Sequence, residues 1–356
     1  MWVLIILAVL CIFMNKKTIR IHGEQTENEW ICPVCGSSNI IGHGRQHNSD
    51  HPRRFKCEDC GKTFNEKIGT IFYHKKMPRD TIITIVYLFL TGYPASNMPP
   101  LVQVTEKSIR NLLREVVERF EQYEEFIPAP GDYAPKVIEI DEIYIKIQGS
   151  REFYGWLAYD PENKYLIDFV VGKRDDETLE ELFRKLEGYK GKVELVLIDA
   201  YRGYEKFVEK YLAGGEEKPL TGVINKSEYS ETEGFVTYTL FGGKRESIEA
   251  KISSLGLGKK ITTALIECLN SQIRDLCNYM RRRSKRIPRL LSWGEKAISC
   301  FKFMHNYLKA HLTLSGKSSK NWITVPVTPC MKAGICDHQI SLIEILNFRF
   351  ITPTPK

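Results

Sequence analysis

Between residues 134 and 224, apolar residues recur with the periods of strands and of helices in turn. Val137–Ile147 (VIEIDEIYIKI) alternates with a period of two, which predicts a strand with Glu139, Asp141 and Ile143 on one face. Val193–Ile198 is continuously apolar, as expected for a strand buried on both faces of a parallel sheet. The same reasoning predicts strands at Gly155–Asp160, Lys164–Gly172 and Leu220–Ile224, and helices at Asp176–Tyr189 and Tyr204–Leu212. This order predicts an α/β fold with a mixed sheet flanked by helices.

Two helices are predicted before the sheet. Thr81–Leu90 is apolar on most faces, which favours a buried helix, although its β-branched residues also allow a strand. Thr105 is placed to cap a long amphipathic helix, with apolar residues at helical spacing from Ile109 to Phe120. Both helices precede a proline-rich stretch around Gly131 that marks a domain boundary.

The second of these helices carries cations on its remaining faces, namely Lys107, Arg110, Arg114 and Arg119. A helix, a short connection and a basic-faced helix are typical of a helix-turn-helix, which places its cations on DNA phosphates. Pro99-Pro100 argues against this pattern, because it lies where a middle helix should run. A helical linker with a solvated charged face explains the sequence equally well.

Four of the ten cysteines form two Cys-x-x-Cys pairs, Cys32 with Cys35 and Cys57 with Cys60. This spacing allows four thiolates to converge on one tetrahedral Zn²⁺. Two structural disulfides are the alternative. The five cysteines after residue 60 are scattered and no secretory n-region precedes them, so a reducing compartment and zinc are favoured. We expect three aromatic side chains to pack around the metal: Trp30, Phe55 and Phe64.

The run Trp2–Met14 is apolar and is followed by three cations. As a helix it would span about 20 Å, which is short of the ~30 Å hydrocarbon core of a bilayer. A docked N-terminal helix, or an upstream start codon, is favoured over a weak membrane anchor. We therefore expect a cytoplasmic, nucleoid-associated protein without membrane contact.

The charge distribution is uneven along the 356 residues, which carry a net charge of +7. Residues 128–267 have 20 basic and 26 acidic side chains, whereas residues 268–320 have 12 basic and 2 acidic ones. With 43% hydrophobic and 27% charged residues, the composition excludes intrinsic disorder and a multi-span membrane protein. An acidic segment followed by a compact basic one indicates a site for cations next to a site for a polyanion.

Two carboxylates of the acidic segment are predicted to meet. Asp141 lies midway along the first strand, and Asp199 follows the buried fourth strand directly. In parallel neighbouring strands the two side chains would face one another, and they would repel unless a cation joined them. Mg²⁺ or Mn²⁺ suits such oxygen ligands, and a pair of ions about 4 Å apart suits phosphoryl transfer.

A third acid is needed to complete two metal sites. Glu267 is the candidate, on a predicted helix Ile261–Met280 that carries Asn270 and Arg274 on the same face. Each acid taken alone is more often a solvated or salt-bridged side chain, so the prediction depends on the three together. The helix leads into a basic block, expected to hold phosphates, of Arg281, Arg282, Arg283, Lys285, Arg286 and Arg289.

These motifs, in this order, resemble those of DDE transposases of bacterial and archaeal insertion sequences, in particular the insertion-sequence-one family. The resemblance rests on Ile140-Asp141-Glu142, Gly172-x-Arg174-Asp175, Leu197-Ile198-Asp199-Ala200-Tyr201, and the helix from Lys260 through Glu267 and Asn270 to Arg274. The paired cysteines are similar to the zinc-binding region with which that family recognises DNA ends. A tail with Thr328-Pro329 and Asp337-His338 is also similar to that of some members.

The resemblance implies a ribonuclease H-like catalytic fold behind a zinc ribbon. It implies Asp141, Asp199 and Glu267 as ligands of the catalytic metal, with Asn270 and Arg274 holding DNA near them. It also implies a transposase that acts as a homo-oligomer on double-stranded DNA, cutting at the element's terminal inverted repeats and inserting into target DNA. A zinc-dependent DNA-binding regulator is the alternative, or an inactivated transposase relic. Cys268, which stands where the family usually has Arg, is one departure that points to inactivation.

The expected domain organisation follows these boundaries. The segments are an apolar N-terminal segment (1–25), a zinc ribbon (26–72), a helical, helix-turn-helix-like DNA-binding segment (73–127), a catalytic domain (134–314) and a C-terminal tail (315–356).

Overall fold

The structure is a computed structural model that describes residues 30–46, 52–127, 133–148, 151–215, 217–230, 234–241, 243–276, 291–317 and 323–350. The chain divides into two compact units. One contains the residues up to Tyr73 together with those from Arg349, and the other is His74–Phe348. The predicted N-terminal apolar segment and the basic block 281–289 lie outside the described residues.

The first unit is built on a small antiparallel sheet of β1 (Ile40–Arg45), β2 (Arg53–Cys57) and β3 (Thr63–Asn65). Each Cys-x-x-Cys pair forms a tight turn that ends in a glycine with positive φ, at Gly36 and Gly61. Such a backbone conformation favours glycine because a Cβ would be strained there. The turns fold each cysteine pair back towards the other.

Three aromatic rings pack against one another in this unit, as the sequence predicts. The ring centroid of Trp30 lies 4.2 Å from that of Phe55 and 6.2 Å from that of Phe64. Arg349 covers Trp30, with its guanidinium carbon 4.1 Å from the ring centroid. Its neighbour Phe350 donates its backbone N–H to the Gly69 carbonyl. The far end of the described chain therefore completes the packing of the zinc-ribbon-like unit.

The second unit begins with α1 (Arg79–Leu90), which confirms the helix over the strand alternative. α3 (Glu106–Phe126) confirms the long amphipathic helix, and the Thr105 hydroxyl accepts the Ser108 N–H at 3.3 Å as its cap. Between them Pro99 begins the single-turn helix α2 (Pro99–Val102). The objection from Pro99-Pro100 is therefore wrong, because proline is well accommodated in the first turn of a helix, where its missing N–H has no partner to lose.

A six-stranded mixed sheet forms the centre of the second unit, with strands in the order β6-β5-β4-β7-β8-β9. β4, β5 and β6 pair antiparallel, β7 runs parallel to β4 and β8 parallel to β7. β9 is antiparallel to β8 at the edge. The strands are β4 (Val137–Ile147), β5 (Arg151–Asp160), β6 (Tyr165–Gly172), β7 (Leu195–Asp199), β8 (Leu220–Ser230) and β9 (Gly234–Thr239).

Helices cover both faces of this sheet. α4 packs on β5 and β6, with α5 beside it. On the other side α6 packs on β8, α7 on β4, and α8 on β6 and β5. Their bounds are α4 (Asp176–Leu186), α5 (Tyr204–Leu212), α6 (Arg245–Ser254), α7 (Ala264–Leu276) and α8 (Leu291–Phe303). Three antiparallel strands followed by helix-linked parallel strands make a ribonuclease H-like fold, which confirms the predicted fold class.

Two differences from the predicted elements concern the site. β8 runs to Ser230 rather than ending at Ile224, because β9 pairs with it as a hairpin beyond the position where β7 stops. The helix with the third acid begins at Ala264 rather than Ile261, and the Ile261 side chain is buried between α6 and the sheet. The hairpin gives the sheet a strand that the sequence did not predict.

Two clusters of the core lie on the face of the sheet that carries Asp141. One lies between β4, β5, α7 and α8 and includes Ile143, Leu157, Ile273 and Phe301. A second joins β7 and β8 to α6. Because buried apolar surface is worth about 25 cal/mol per Å², the first cluster fixes α7 firmly against the strand that carries Asp141.

The chain after α8 continues as a π-helical turn, Met304–Leu308, followed by β10 (Gly316–Lys317) and β11 (Ile323–Val325). Two short helices follow, α9 (Pro329–Lys332) and α10 (Leu342–Asn347). Cys330 and Cys336 form a disulfide, in contrast to the scattered thiols expected there, because the turn at Gly334 brings the chain back on itself. Among the described residues, every helix is too short or too polar to cross a bilayer.

A buried histidine in the π-helical turn predicts an acid-sensitive stability. The His305 ring stacks on Phe301, its Nε2 lies 2.8 Å from the Lys164 carbonyl oxygen, and burial lowers its pKa to about 4. Its stabilising contribution is full above pH 6.5, the ordinary pKa, and is lost as pH falls towards 4. Between pH 7 and pH 4, the free energy of unfolding of His305→Gln should fall by about 1–3 kcal/mol less than that of the wild type, measured by thermal unfolding. An equal loss of stability in both proteins would show that protonation of His305 does not contribute to this pH dependence.

Candidate active site and metal centres

Strand register places the first two predicted acids side by side. β4 and β7 pair in parallel, with Ile140 opposite Ile198, so the next residues, Asp141 and Asp199, are neighbours. Asp141 is buried with 6% exposure, and Asp199 ends its strand, where its Oδ1 accepts the backbone N–H of Tyr201 at 3.1 Å. The parallel pairing predicted from the sequence therefore brings the two carboxylates together.

A third carboxylate lies with them. Ligand oxygens of Asp141, Glu142 and Asp199 lie within 4.8 Å of one another. Arg174 holds this cluster from the turn after β6, with its Nη2 2.5 Å from Glu142 Oε1 and 3.8 Å from Asp199 Oδ2. The other oxygen of Glu142, Oε2, is buried and has no hydrogen-bond partner among the described residues.

Glu267, the predicted third acid, lies outside this group of three and reaches it through a lysine. The Lys226 ammonium nitrogen is 2.8 Å from Glu267 Oε1 and 3.4 Å from Asp141 Oδ1. Lys226 is on β8, two residues after Ile224, which pairs with Asp199. Glu267 is half-exposed at 50%, so its carboxylate faces the solvent side of the site.

Two buried contacts fix α7, the helix of Glu267, to the sheet. The Asn270 side chain donates its Nδ2–H to Asp141 Oδ2 at 3.1 Å, and the Asn270 Oδ1 has no partner among the described residues. The Ile266 backbone N–H donates to Glu139 Oε2 at 2.7 Å. A carboxylate at the first turn of a helix also interacts favourably with its dipole. Both contacts set where Glu267 stands relative to Asp141.

The carboxylates of the cluster lie close together, and nearby cations do not fully offset their burial and mutual repulsion. Burial, chiefly, raises the pKa of Asp141 and that of Glu142, the latter to about 7, and nearby carboxylates add to both shifts. Burial likewise raises the pKa of Glu139 to about 8. For Lys226, burial favours a lower pKa, but Asp141 and Glu267 outweigh it and the pKa is raised.

This donor set fits a hard divalent cation. Carboxylate oxygens are the preferred ligands of Mg²⁺ and Mn²⁺, and burial next to further acids makes the charged forms costly until a cation is added. Glu142, which belongs to the same cluster and has one oxygen without a partner among the described residues, adds acceptor capacity there. Asp141 and Asp199 would be the direct ligands.

A cleft of about 610 Å³ opens beside Asp199. Its lining combines cations with the carboxylate site: Arg174, Arg202, Lys206 and Lys226, with Asp176, Asp199 and Tyr201 among the other lining residues. Lys206 pairs with Asp176, and Arg174 lies over the Tyr201 ring at 5.4 Å. The cleft therefore offers positive charge directly next to the acids.

The predicted DNA-contacting residues fall in different places. Lys107, Arg110 and Arg114 are exposed on α3, and Arg110 pairs with Glu106 one turn earlier. Arg119 is buried instead and donates to the Phe348 carbonyl at 2.8 Å, so its place on the exposed face is wrong. Asn270 lies in the acidic site and Arg274 one turn further along α7. Outside the described residues lie Arg281, Arg282, Arg283, Lys285 and Arg286.

The four predicted zinc ligands form one cluster. Ligand atoms of Cys32, Cys35, Cys57 and Cys60 lie within 4.8 Å of one another. The Sγ–Sγ distances are 3.5 Å between Cys32 and Cys60 and 3.6 Å between Cys35 and Cys57, well beyond the ~2.05 Å of a disulfide bond. Four free thiols in this arrangement fit the tetrahedral site of a zinc ribbon.

Zinc content tests this cluster directly. We expect about one zinc per purified chain, because four thiolates complete a closed structural site. Cys57→Ser should lower the bound zinc several-fold and unfold the first unit on its own, since structural zinc contributes about 10–16 kcal/mol to folding. Cys268→Ser, which changes an exposed cysteine of α7, is the matched control. Full zinc occupancy in Cys57→Ser, measured by atomic emission, would contradict the assignment.

Sequence reasoning missed three residues of the site as functional candidates: Glu142, Arg174 and Lys226. The first two belong to motifs that were recognised only as flanking sequence. Lys226 had a usable signal, because Ile224 and Lys226 share a strand face if β8 continues past Ile224. Ending that strand at Ile224 left Lys226 in a loop.

Comparisons with known proteins give one match in sequence. No family profile matches the chain. A Halobacterium salinarum protein described as an uncharacterized protein in transposable element ISH50 is 26% identical over 119 residues. That match covers 33% of this chain and 37% of the relative, so it spans well under half of either protein.

Among solved structures, the Mos1 transposase paired-end complex with left transposon end matches with a TM-score of 0.19 and 12% identity. It covers 65% of this chain and 79% of that one. The catalytic domain of Mos1 mariner transposase matches with a TM-score of 0.18 and 10% identity, over 54% and 91% of the two chains. Scores this low do not define a common fold, so the fold rests on the strand order described above.

Proposed function

We propose that the protein is a transposase that binds the terminal inverted repeats of an insertion sequence and catalyses metal-dependent DNA cleavage and strand transfer. The observation that carries this proposal is the adjacency of Asp141 and Asp199 in a ribonuclease H-like sheet, with a basic cleft beside them. The relative from a transposable element supports it. The resemblance to the insertion-sequence-one family remains part of the proposal.

Each residue has a role in this chemistry. Asp141 and Asp199 would hold the catalytic metal, and Glu267 would complete the set of ligands from α7. When bound, Mg²⁺ or Mn²⁺ lowers the pKa of an attacking water or 3′-hydroxyl and neutralises charge on the phosphate. Asn270 keeps Asp141 in place through their 3.1 Å hydrogen bond. The reaction is in-line displacement at phosphorus, for which positioning and charge stabilisation supply most of the catalysis.

DNA is held by cations on several surfaces. The cleft presents Arg174, Arg202 and Lys206 next to the carboxylates, so a phosphate chain in the cleft would pass the metal ligands. The exposed cations of α3 and the basic residues 281–286 would supply further phosphate contacts. The zinc-binding unit would contribute recognition of the element's ends. Because two ends must be joined to one target, we infer a homo-oligomer on DNA.

Strand transfer of labelled DNA tests this function. The substrate is a duplex ending in the inverted repeat that flanks the gene, with a plasmid as target. We expect joined products with Mg²⁺ or Mn²⁺ and none with Ca²⁺, whose larger and more flexible coordination does not meet the octahedral demand. End binding in a gel-shift assay, without products under any divalent metal, would overturn the proposal.

A second candidate is a zinc-dependent DNA-binding regulator or an inactivated transposase relic. The observation that favours it is the position of Glu267, which is half-exposed and tied to Lys226 rather than gathered with Asp141 and Asp199. This candidate predicts end binding that survives Asp141→Asn, together with no cleavage of DNA by the wild type under any divalent metal.

A further inference from the structure

Lys226 occupies the space between two acids of the proposed metal site. Its ammonium bridges Asp141 on β4 and Glu267 on α7, at 3.4 Å and 2.8 Å. Asn270 and Ile266 anchor α7 to the sheet, but they do not contact the Glu267 side chain. Among the described residues, the Glu267 carboxylate contacts the sheet through Lys226. A charged lysine thus stands where the ligands of a divalent ion would have to converge.

The same side chain also lines the cleft. Lys226 is 33% exposed and shares the cleft wall with Arg174 and Lys206. Its neighbours Asn225 and Ser227 line it too, where the pairing of β8 with β9 becomes irregular between Asn225 and Tyr229. A lysine has a long, flexible stem with a mobile point charge at its end. The Lys226 ammonium can therefore reach two positions, one between the carboxylates and one in the cleft.

A divalent ion and the ammonium cannot both sit between Asp141 and Glu267 without strong repulsion. Charges this close interact strongly in a partly buried site, and solvent screens them less than at the surface. A phosphate in the cleft would offer the ammonium an alternative partner of the same sign as the carboxylates. Metal binding and DNA binding would then favour one another, since coupling between two ligands is reciprocal.

We propose that Lys226 is a built-in counterion that competes with the catalytic metal for Asp141 and Glu267. Bound DNA draws the Lys226 ammonium away from these acids and into the cleft. Metal and DNA therefore bind cooperatively. This proposal rests on the proposed function, since it takes the carboxylates as the metal site. Lys226 acts here as a positioning and regulatory residue. It keeps the acids together in the free protein, and it leaves them to the metal more readily when a phosphate chain is present.

Binding of Mn²⁺ to the free protein, without DNA, measures the competition. Lys226→Met keeps the length of the side chain and removes its charge, so its Mn²⁺ affinity by titration calorimetry should be about 10-fold or more above wild type. Lys226→Arg keeps the charge and should stay near wild type. Lys210→Met removes a lysine that pairs with Glu180 on the far helices, and it controls for the loss of one positive charge.

The coupling is measured by repeating the titration with a short blunt duplex at low salt. DNA should raise the Mn²⁺ affinity of the wild type, and this increase should shrink at least about 5-fold in Lys226→Met. Thermal unfolding without Mn²⁺ provides a second reading, because Lys226→Met leaves the acids uncompensated and should unfold at a lower temperature. Saturating Mn²⁺ should remove that difference.

Equal Mn²⁺ affinity in Lys226→Met and wild type, in the absence of DNA, would overturn the counterion role even if strand transfer proceeds normally. Failure of the proposed function has a different signature. In that case Asp141→Asn would bind Mn²⁺ as well as the wild type does. This result would refute both the metal site at Asp141 and the counterion role of Lys226.

Discussion

Asp199→Asn is expected to lower the rate of strand transfer at least about 1,000-fold, equivalent to about 4 kcal/mol of transition-state stabilisation. The substitution keeps the shape of the side chain and removes one of the carboxylate charges that would hold the metal. It also relieves repulsion with Asp141, so the variant should fold at least as well as the wild type. Product formation in a single-turnover assay with Mg²⁺, alongside thermal unfolding, separates the two effects.

The control for Asp199→Asn is Glu180→Gln, which removes a carboxylate on α4 that pairs with Lys210 and Arg184. It should transfer strands at the wild-type rate. DNA-end binding by Asp199→Asn should also persist, because the recognition surfaces are elsewhere. Full strand-transfer activity in Asp199→Asn would mean that the carboxylate cluster is not the catalytic centre.

Glu267→Gln is expected to reduce strand transfer about 100-fold or more, and Glu142→Gln about 10-fold or less. The expectation follows from the roles assigned to the two acids. Glu267 stands on the helix that Asn270 and Glu139 lock against the sheet, whereas Glu142 is neutralised by Arg174 at 2.5 Å. Rates with Mg²⁺ and with Mn²⁺ should be compared, because loss of a metal ligand weakens binding of either ion.

The reverse order of effects would contradict this assignment. If Glu142→Gln abolished activity and Glu267→Gln did not, the third ligand would be the one that lies within 4.8 Å of Asp141 and Asp199. Arg174 would then have to leave Glu142 when the metal binds. Arg174→Lys, which cannot maintain the same planar contact, would help to locate that movement.

The fold was predictable because its strands and helices have clear periods. The alternation in Val137–Ile147 and the apolar run before Asp199 fixed β4 and β7, and parallel pairing followed from the helices between the strands. β9 was missed because Gly234–Thr239 lies beyond the position where β8 was expected to end. The short helix at Pro99 was missed because proline stops a helix in its interior but suits its first turn.

The candidate site was predictable where it depends on strand register and less so where it depends on long side chains. Register alone put Asp141 beside Asp199. Lys226 lies between Asp141 and Glu267, and Arg174 lies between Glu142 and Asp199. These positions depend on the rotamers of long, flexible side chains, which the periodicity of the sequence does not reveal. Arg119 shows the same limit in reverse, since its position on a helix face did not reveal its buried contact with Phe348.

The most direct test of the central claim is to locate the ion itself. Crystals of the protein grown with Mn²⁺ and a DNA duplex would be measured for anomalous scattering. We predict a peak about 2.1 Å from carboxylate oxygens of both Asp141 and Asp199, within the cleft that Lys226 lines. Crystals with DNA in place, and with no anomalous density between these two carboxylates, would contradict the account.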